Sequence, residues 1–184
     1  MPERHQQNAK KTRELALCAM IAALGIVVML LGSVISIASY CTPLLAGVLL
    51  LPVMLEFGLK QAWMTWAVTA LLALIIGVDQ EATFFYIFIG YYPMLKPRID
   101  KIPKSVLRYL AKFALFCGAI GAMYCLLYFV LHLPAVVNEM QESTLAMVLM
   151  TNLVLVFCLM VYDRLIVPLM LLYVNRIKPK LRIK

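Results

Sequence analysis

The sequence predicts an all-α integral membrane protein, a bundle of six transmembrane helices with both termini in the cytoplasm. Of its 184 residues, 64% are hydrophobic and only 14% are charged, which leaves too few polar side chains to cover a water-soluble domain. The stretch from Leu15 to Leu55 contains no charged residue. Since a bilayer core takes about 20 helical residues, this stretch holds two spans. In addition, lysine and arginine fall on only one side of the resulting bundle.

Each predicted span is bounded by polar residues, glycine or proline within a single membrane domain, residues 1–184. The apolar stretch after the N-terminal stub is too long for a signal peptide, whose hydrophobic region is typically about 7–15 residues. Pro52 is expected to kink the second span, and Pro93 and Pro97 to end the short fourth one. The predicted spans are about Leu15–Ile35, Pro43–Phe57, Gln61–Val78, Ala82–Leu95, Tyr109–Leu131 and Thr144–Tyr162, the last with a possible extension toward Pro168.

The charges give the orientation. With the N-terminus inside, all 17 lysines and arginines fall in cytoplasmic segments. These are the basic stub 1–14, Lys60, the basic loop 96–108 with Lys112, and Arg164 with the basic tail 175–184. The external loops carry only Asp79, Glu81, Glu139 and Glu142. This positive-inside pattern favours six spans over five or seven, because an odd number would place the tail outside. The net charge of +8 is then a topology signal, and no nucleic-acid partner is expected. The segment 96–112 can also bind anionic lipid.

No residue pattern indicates catalysis. The sequence lacks GxSxG, HExxH, P-loop and dinucleotide-binding signatures, so no catalytic residue and no cofactor are predicted. Its five cysteines form no CxxC pair, and no metal site is predicted. No span clearly carries an ionisable residue at mid-depth, because Glu56 and Asp163 are placed near cytoplasmic ends. A protein without a motor of its own is expected to use the energy source of a partner.

Two further patterns leave alternatives open. Ala19 and Ala23 lie four residues apart on the first span, a spacing that lets helices approach closely. They pack either within this bundle or against a partner membrane protein. Tyrosines and polar residues gather toward the external half, where tyrosine serves as an interfacial anchor or as a ligand contact. Asn152 needs a hydrogen-bond partner at depth, which is either another helix or a substrate.

The N-terminal run KKTRELALCAMIAALGIVV, followed by five more short spans, resembles the substrate-binding S component of energy-coupling factor (ECF) transporters. The resemblance implies a subunit of the bacterial cytoplasmic membrane that works with a membrane T component and two ATPases. Ala19 and Ala23 match the AxxxA pattern that contacts the T component in this family. By position, the resemblance implies a substrate site formed by Tyr40, Thr42, Tyr86, Tyr128 and Asn152. No motif identifies the small-molecule substrate, and the segment Gly90–Arg98 has no assigned role.

The leading hypothesis is therefore a substrate-capture subunit of an ATP-driven micronutrient importer, which binds its small molecule from outside. The alternative is a non-transporting membrane scaffold of the cell-wall or shape machinery, similar to MreD. A lipid-modifying enzyme is a third option, disfavoured by the lack of paired acid and base residues at a membrane surface.

Overall fold

The computed structural model describes residues 2–34, 40–129 and 145–177, and all regular structure within them is helical. The predicted all-α class is therefore confirmed for this part of the chain. Two compact units form, Met1–Leu95 and Lys96–Lys184, which we describe separately. The prediction of a single membrane domain stays a prediction. The helices are α1 (Pro2–Val34), α2 (Cys41–Val48), α3 (Leu50–Phe57), α4 (Leu59–Ile76), α5 (Gln80–Ile89), α6 (Tyr92–Ile99), α7 (Ser105–Phe129) and α8 (Leu145–Leu172).

Four segments of the described helices are long and apolar enough to cross a bilayer. In each of them only 22% to 33% of the most apolar stretch is buried, so most of the apolar surface is available to lipid. A membrane-embedded protein accounts for this surface, whereas the number of six spans and their orientation stay predictions. The four segments are Lys11–Val34, Leu59–Ile76, Ser105–Leu127 and Asn152–Arg176.

The second and fourth predicted spans each consist of two short helices. The break between α2 and α3 falls at Leu49, and the break between α5 and α6 falls at Gly90 and Tyr91. Each break precedes a proline by two or three residues, Pro52 and Pro93 respectively. Proline offers no N–H to the carbonyl four residues earlier and its ring crowds that carbonyl, which here belongs to the last residue of the preceding helix. The predicted interruption at Pro52 is thus confirmed. The prediction that Pro93 and Pro97 end the fourth span is wrong, because α6 begins just before Pro93 and continues through Pro97 to Ile99.

In the first unit, α1 packs against α2 and α4, and α2 packs against α5. Alanines and glycines at these contacts let the helix backbones come close. Gly77, with φ of 76°, ends α4 in the left-handed conformation, and Asp79 then caps α5 by accepting a hydrogen bond from the Glu81 amide at 3.3 Å. Two clusters of buried side chains form the core, one around Met29, Ala46, Ala73 and Tyr86 and one around Leu50, Val53, Ala62 and Met94.

In the second unit, α7 and α8 are in contact. α7 begins at Ser105, one turn before the predicted Tyr109, so part of the basic loop is helical. α8 continues through Asp163 and Pro168 to Leu172 and ends in a π-helical turn, Tyr173–Ile177. The predicted end at Tyr162 is too early, and the extension toward Pro168 is confirmed. Residues 178–184 of the basic tail lie outside the described residues.

Candidate functional site

A pair of polar side chains, Tyr40 and Glu81, lies where α2 and α5 begin. Tyr40 precedes the first residue of α2 and its hydroxyl donates to Glu81 Oε2 at 3.3 Å. The ring of Tyr40 meets the Phe85 ring edge-on, with centroids 5.6 Å apart. Tyr40 and Glu81 are half-buried, so the pair lies at the margin of the first unit.

Thr42, two residues after Tyr40, is buried against the end of α1. A Cβ added to Gly32 would lie only 2.0 Å from Thr42 Oγ1, which means that only glycine fits at this position. Because Thr42 packs directly against Gly32, it takes part in the contact between α1 and α2.

Thr83 and Tyr86 lie on α5, one helical turn apart, and both are at least 99% buried. Neither hydroxyl makes a well-formed hydrogen bond to any described residue, although the Tyr86 side chain lies near Thr69. The Thr69 hydroxyl donates to the Thr65 carbonyl at 2.8 Å. A buried hydroxyl without a partner costs about 1–3 kcal/mol. Among the described residues of the first unit, these two hydroxyls of α5 are the buried side-chain groups that lack a well-formed hydrogen bond.

The remaining predicted site residues belong to the second unit. The backbone of Tyr128 lies near the end of α7, and its side chain is outside the described residues. Asn152 is half-buried on α8 and already has an interaction partner. The structure thus places Tyr40, Thr42 and Tyr86 in one unit, and Tyr128 and Asn152 in the other.

The two predicted docking residues, Ala19 and Ala23, are both exposed on α1. Ala19 also lines a groove of about 500 Å³ between α1 and α4, whose walls include Leu15, Met64 and Val68. The exposed positions leave both alanines available to lipid or to a neighbouring helix.

A ring of four charges in the second unit was not predicted. Lys96 and Lys112 each contact both Asp100 and Asp163, so that positive and negative charges alternate. Lys112 Nζ lies 2.8 Å from Asp163 Oδ2 and 2.7 Å from Asp100 Oδ1. The side chains of Lys96, Lys112 and Asp163 are 6–7% exposed, whereas that of Asp100 is 36% exposed.

This charge ring joins α6, α7 and α8. Burying an ion costs several kcal/mol unless partners and geometry compensate, and here each lysine has two carboxylates. From the sequence alone, Lys112 is expected with the cytoplasmic loop and Asp163 near a cytoplasmic helix end. The available signal was that each interrupts an apolar run with a charge of opposite sign.

Beside the charge ring, Tyr109 of α7 accepts a hydrogen bond from Arg164 Nη2 of α8 at 2.6 Å. The Arg164 guanidinium carbon lies 5.7 Å from the Tyr109 ring centroid, and that of Arg108 lies 5.9 Å from it. Both distances are within the range of cation–π attraction.

Comparison with known proteins gives no relative. No family model, no curated protein and no solved structure matches the chain.

Proposed function

We propose that this chain is the substrate-capture subunit of an ATP-driven micronutrient importer, similar to an ECF S component. In this proposal it has six spans with both termini inside, and it lies in a bacterial cytoplasmic membrane. The observation that carries the proposal is the pair of buried hydroxyls on α5, Thr83 and Tyr86, neither of which makes a well-formed hydrogen bond within the described ranges. They lie on the same short helix as Glu81 and Phe85, which bind Tyr40.

A small polar ligand would supply hydrogen-bond partners for these two hydroxyls. A hydroxyl is both donor and acceptor, so a heteroatom of the ligand can bond to either group and remove the cost of leaving it unpaired. In this proposal, the Phe85 and Tyr40 rings, which pack edge-on against each other, form the apolar wall beside the flat part of the ligand. A few convergent polar groups in an apolar setting are typical of small-molecule sites.

The exposed alanines of α1 support the second half of the proposal, coupling to a partner. Small side chains on a lipid-facing helix allow close approach of another helix, where van der Waals packing drives association. Such a partner would supply the energy for uptake, in keeping with the lack of a motor signature in the sequence.

Ligand binding is tested by thermal unfolding of the purified full chain in mild detergent, with and without each member of a panel of vitamins and other small polar nutrients. At least one compound should raise the Tm of the wild type, and Tyr86→Phe should lose that rise. Tyr91→Phe is the matched control, because Tyr91 stacks on Trp63, with ring centroids 5.7 Å apart, and is not part of the proposed site. This variant should show the same rise in Tm as the wild type. A response to no compound, or an equal response in all three proteins, would contradict capture at this site.

Coupling is tested by affinity purification in mild detergent. Wild type should recover a T component and ATPases, and a variant carrying Ala19→Leu and Ala23→Leu should recover much less. The control carries Ala114→Leu and Ala122→Leu, the same change at two exposed alanines of α7. Recovery of no such proteins by the wild type would count against an importer subunit.

A further inference from the structure

The second unit has an excess of positive charge that its own carboxylates do not balance. Asp100 and Asp163 are both engaged by the buried lysines of the charge ring. Within the described part of the chain, neither Arg108 nor Arg164 has a carboxylate within ion-pair distance. Instead, both guanidinium groups contact the ring of Tyr109, and Arg164 also donates a hydrogen bond to its hydroxyl.

A cavity of about 210 Å³ opens between α7 and α8 at this point. Its polar end is formed by Tyr109, Lys112, Asp163 and Arg164, and its apolar wall includes Phe116 and Met160. The cavity is therefore polar at one end and apolar at the other.

The surface around the cavity is apolar and exposed. Leu110 is 60% exposed, Phe113 46%, Phe157 65% and Leu165 52%. These side chains belong to two of the segments apolar enough to cross a bilayer, so they face lipid in a membrane. The same two helices therefore carry exposed apolar side chains and the cationic end of the cavity.

From this charge and shape we propose that the cavity is a binding site for an anionic phospholipid. The phosphate lies against Arg164, with Arg108 over the same Tyr109 ring, while Lys112 stays paired with Asp163 and Asp100. The acyl chains follow the exposed apolar side chains of α7 and α8. A guanidinium presents a planar fork of donors that matches phosphate oxygens. The cavity is too small for a whole phospholipid, so it takes the phosphate end alone.

Tyr109 is a positioning residue in this site. Its hydroxyl accepts from one side of the Arg164 guanidinium, which fixes the group and leaves its other donors for phosphate. Basic pockets between transmembrane helices on the cytoplasmic side are suited to anionic headgroups, and the basic segment 96–108 is predicted to lie on that side. This proposal is independent of substrate capture.

The test measures lipid binding to the delipidated full chain by native mass spectrometry, with phosphatidylglycerol and phosphatidylcholine titrated separately. Phosphatidylglycerol should bind more tightly, and Arg164→Gln should weaken it about five-fold or more, as expected for one basic residue near a lipid phosphate. Arg98→Gln, an equal charge change at an exposed position outside the cavity, should weaken it less than about two-fold.

Three results would overturn the proposal. The first is equal binding of the two lipids, and the second is an equal loss in Arg164→Gln and Arg98→Gln, which would indicate diffuse surface attraction. The third is a rise in Tm with inorganic phosphate as large as that with phosphatidylglycerol, which would assign the site to free phosphate. Should Arg164→Gln fail to fold, Tyr109→Phe keeps both arginines and must still weaken phosphatidylglycerol binding for the proposal to stand.

Discussion

Replacing Asp163 by asparagine tests whether the charge ring holds α6, α7 and α8 together. Asp163 accepts from both Lys96 and Lys112, and all three side chains are 6–7% exposed. Removing one partner of a buried ion pair costs about 3–5 kcal/mol because the other charge stays buried without compensation. Asp100 still contacts both lysines, at 3.4 Å and 2.7 Å, so we expect the lower end, about 3 kcal/mol.

The free energy of unfolding is measured in mixed micelles by circular dichroism, with Asp100→Asn as the matched control. Since Asp100 is 36% exposed, its loss should cost only about 1 kcal/mol. The double variant Asp163→Asn with Lys96→Gln should be more stable than Asp163→Asn alone, because one lysine and one carboxylate then remain paired. If Asp163→Asn and Asp100→Asn cost the same, or if the two changes of the double variant simply add, the charge ring does not act as a buried unit.

Two further predictions concern the first unit. Gly32→Ala should lower the free energy of unfolding by about 1–3 kcal/mol, because the new Cβ would lie 2.0 Å from Thr42 Oγ1. The control is Gly118→Ala, where nothing lies within 4 Å of the added Cβ, and it should change the free energy of unfolding by less than about 1 kcal/mol. If both variants have the same effect in thermal unfolding, the close α1–α2 contact is refuted. Tyr86→Phe should raise the stability of the ligand-free protein by about 1 kcal/mol, since it removes a buried hydroxyl that makes no well-formed hydrogen bond in the part of the chain that the structure describes. A fall in Tm for that variant without ligand would mean that the hydroxyl is already satisfied.

Features that depend on neighbouring residues could be predicted from the sequence. Apolar runs of span length predicted the helices, since burial in lipid and backbone hydrogen bonding act locally along each segment. Pro52 predicted the kink of the second span, and Gly77 the end of the third. The break at Gly90 follows the same proline rule, applied to Pro93, whereas the sequence predicted that Pro93 and Pro97 end the span.

Features that depend on distant residues could not be predicted. Asp163 is bound by lysines 51 and 67 positions away, so its neutralisation does not appear in the local pattern. Tyr86 was expected in the substrate site, but only packing shows that its hydroxyl and that of Thr83 are buried without a well-formed hydrogen bond among the described residues. Packing also gives Asn152 an interaction partner, while the choice between helix packing and substrate contact stays a prediction.

Substrate capture from outside requires the start of α5 and the turn after α6 to lie on opposite sides of the membrane. In a variant lacking the five cysteines, single cysteines at Gln80 and Lys101, both exposed, would be treated with a membrane-impermeant maleimide on intact cells. Gln80→Cys should be labelled directly, and Lys101→Cys only after the membrane is permeabilised. Labelling of Lys101→Cys from outside, or protection of Gln80→Cys until permeabilisation, would contradict the orientation and the capture of a ligand at α5.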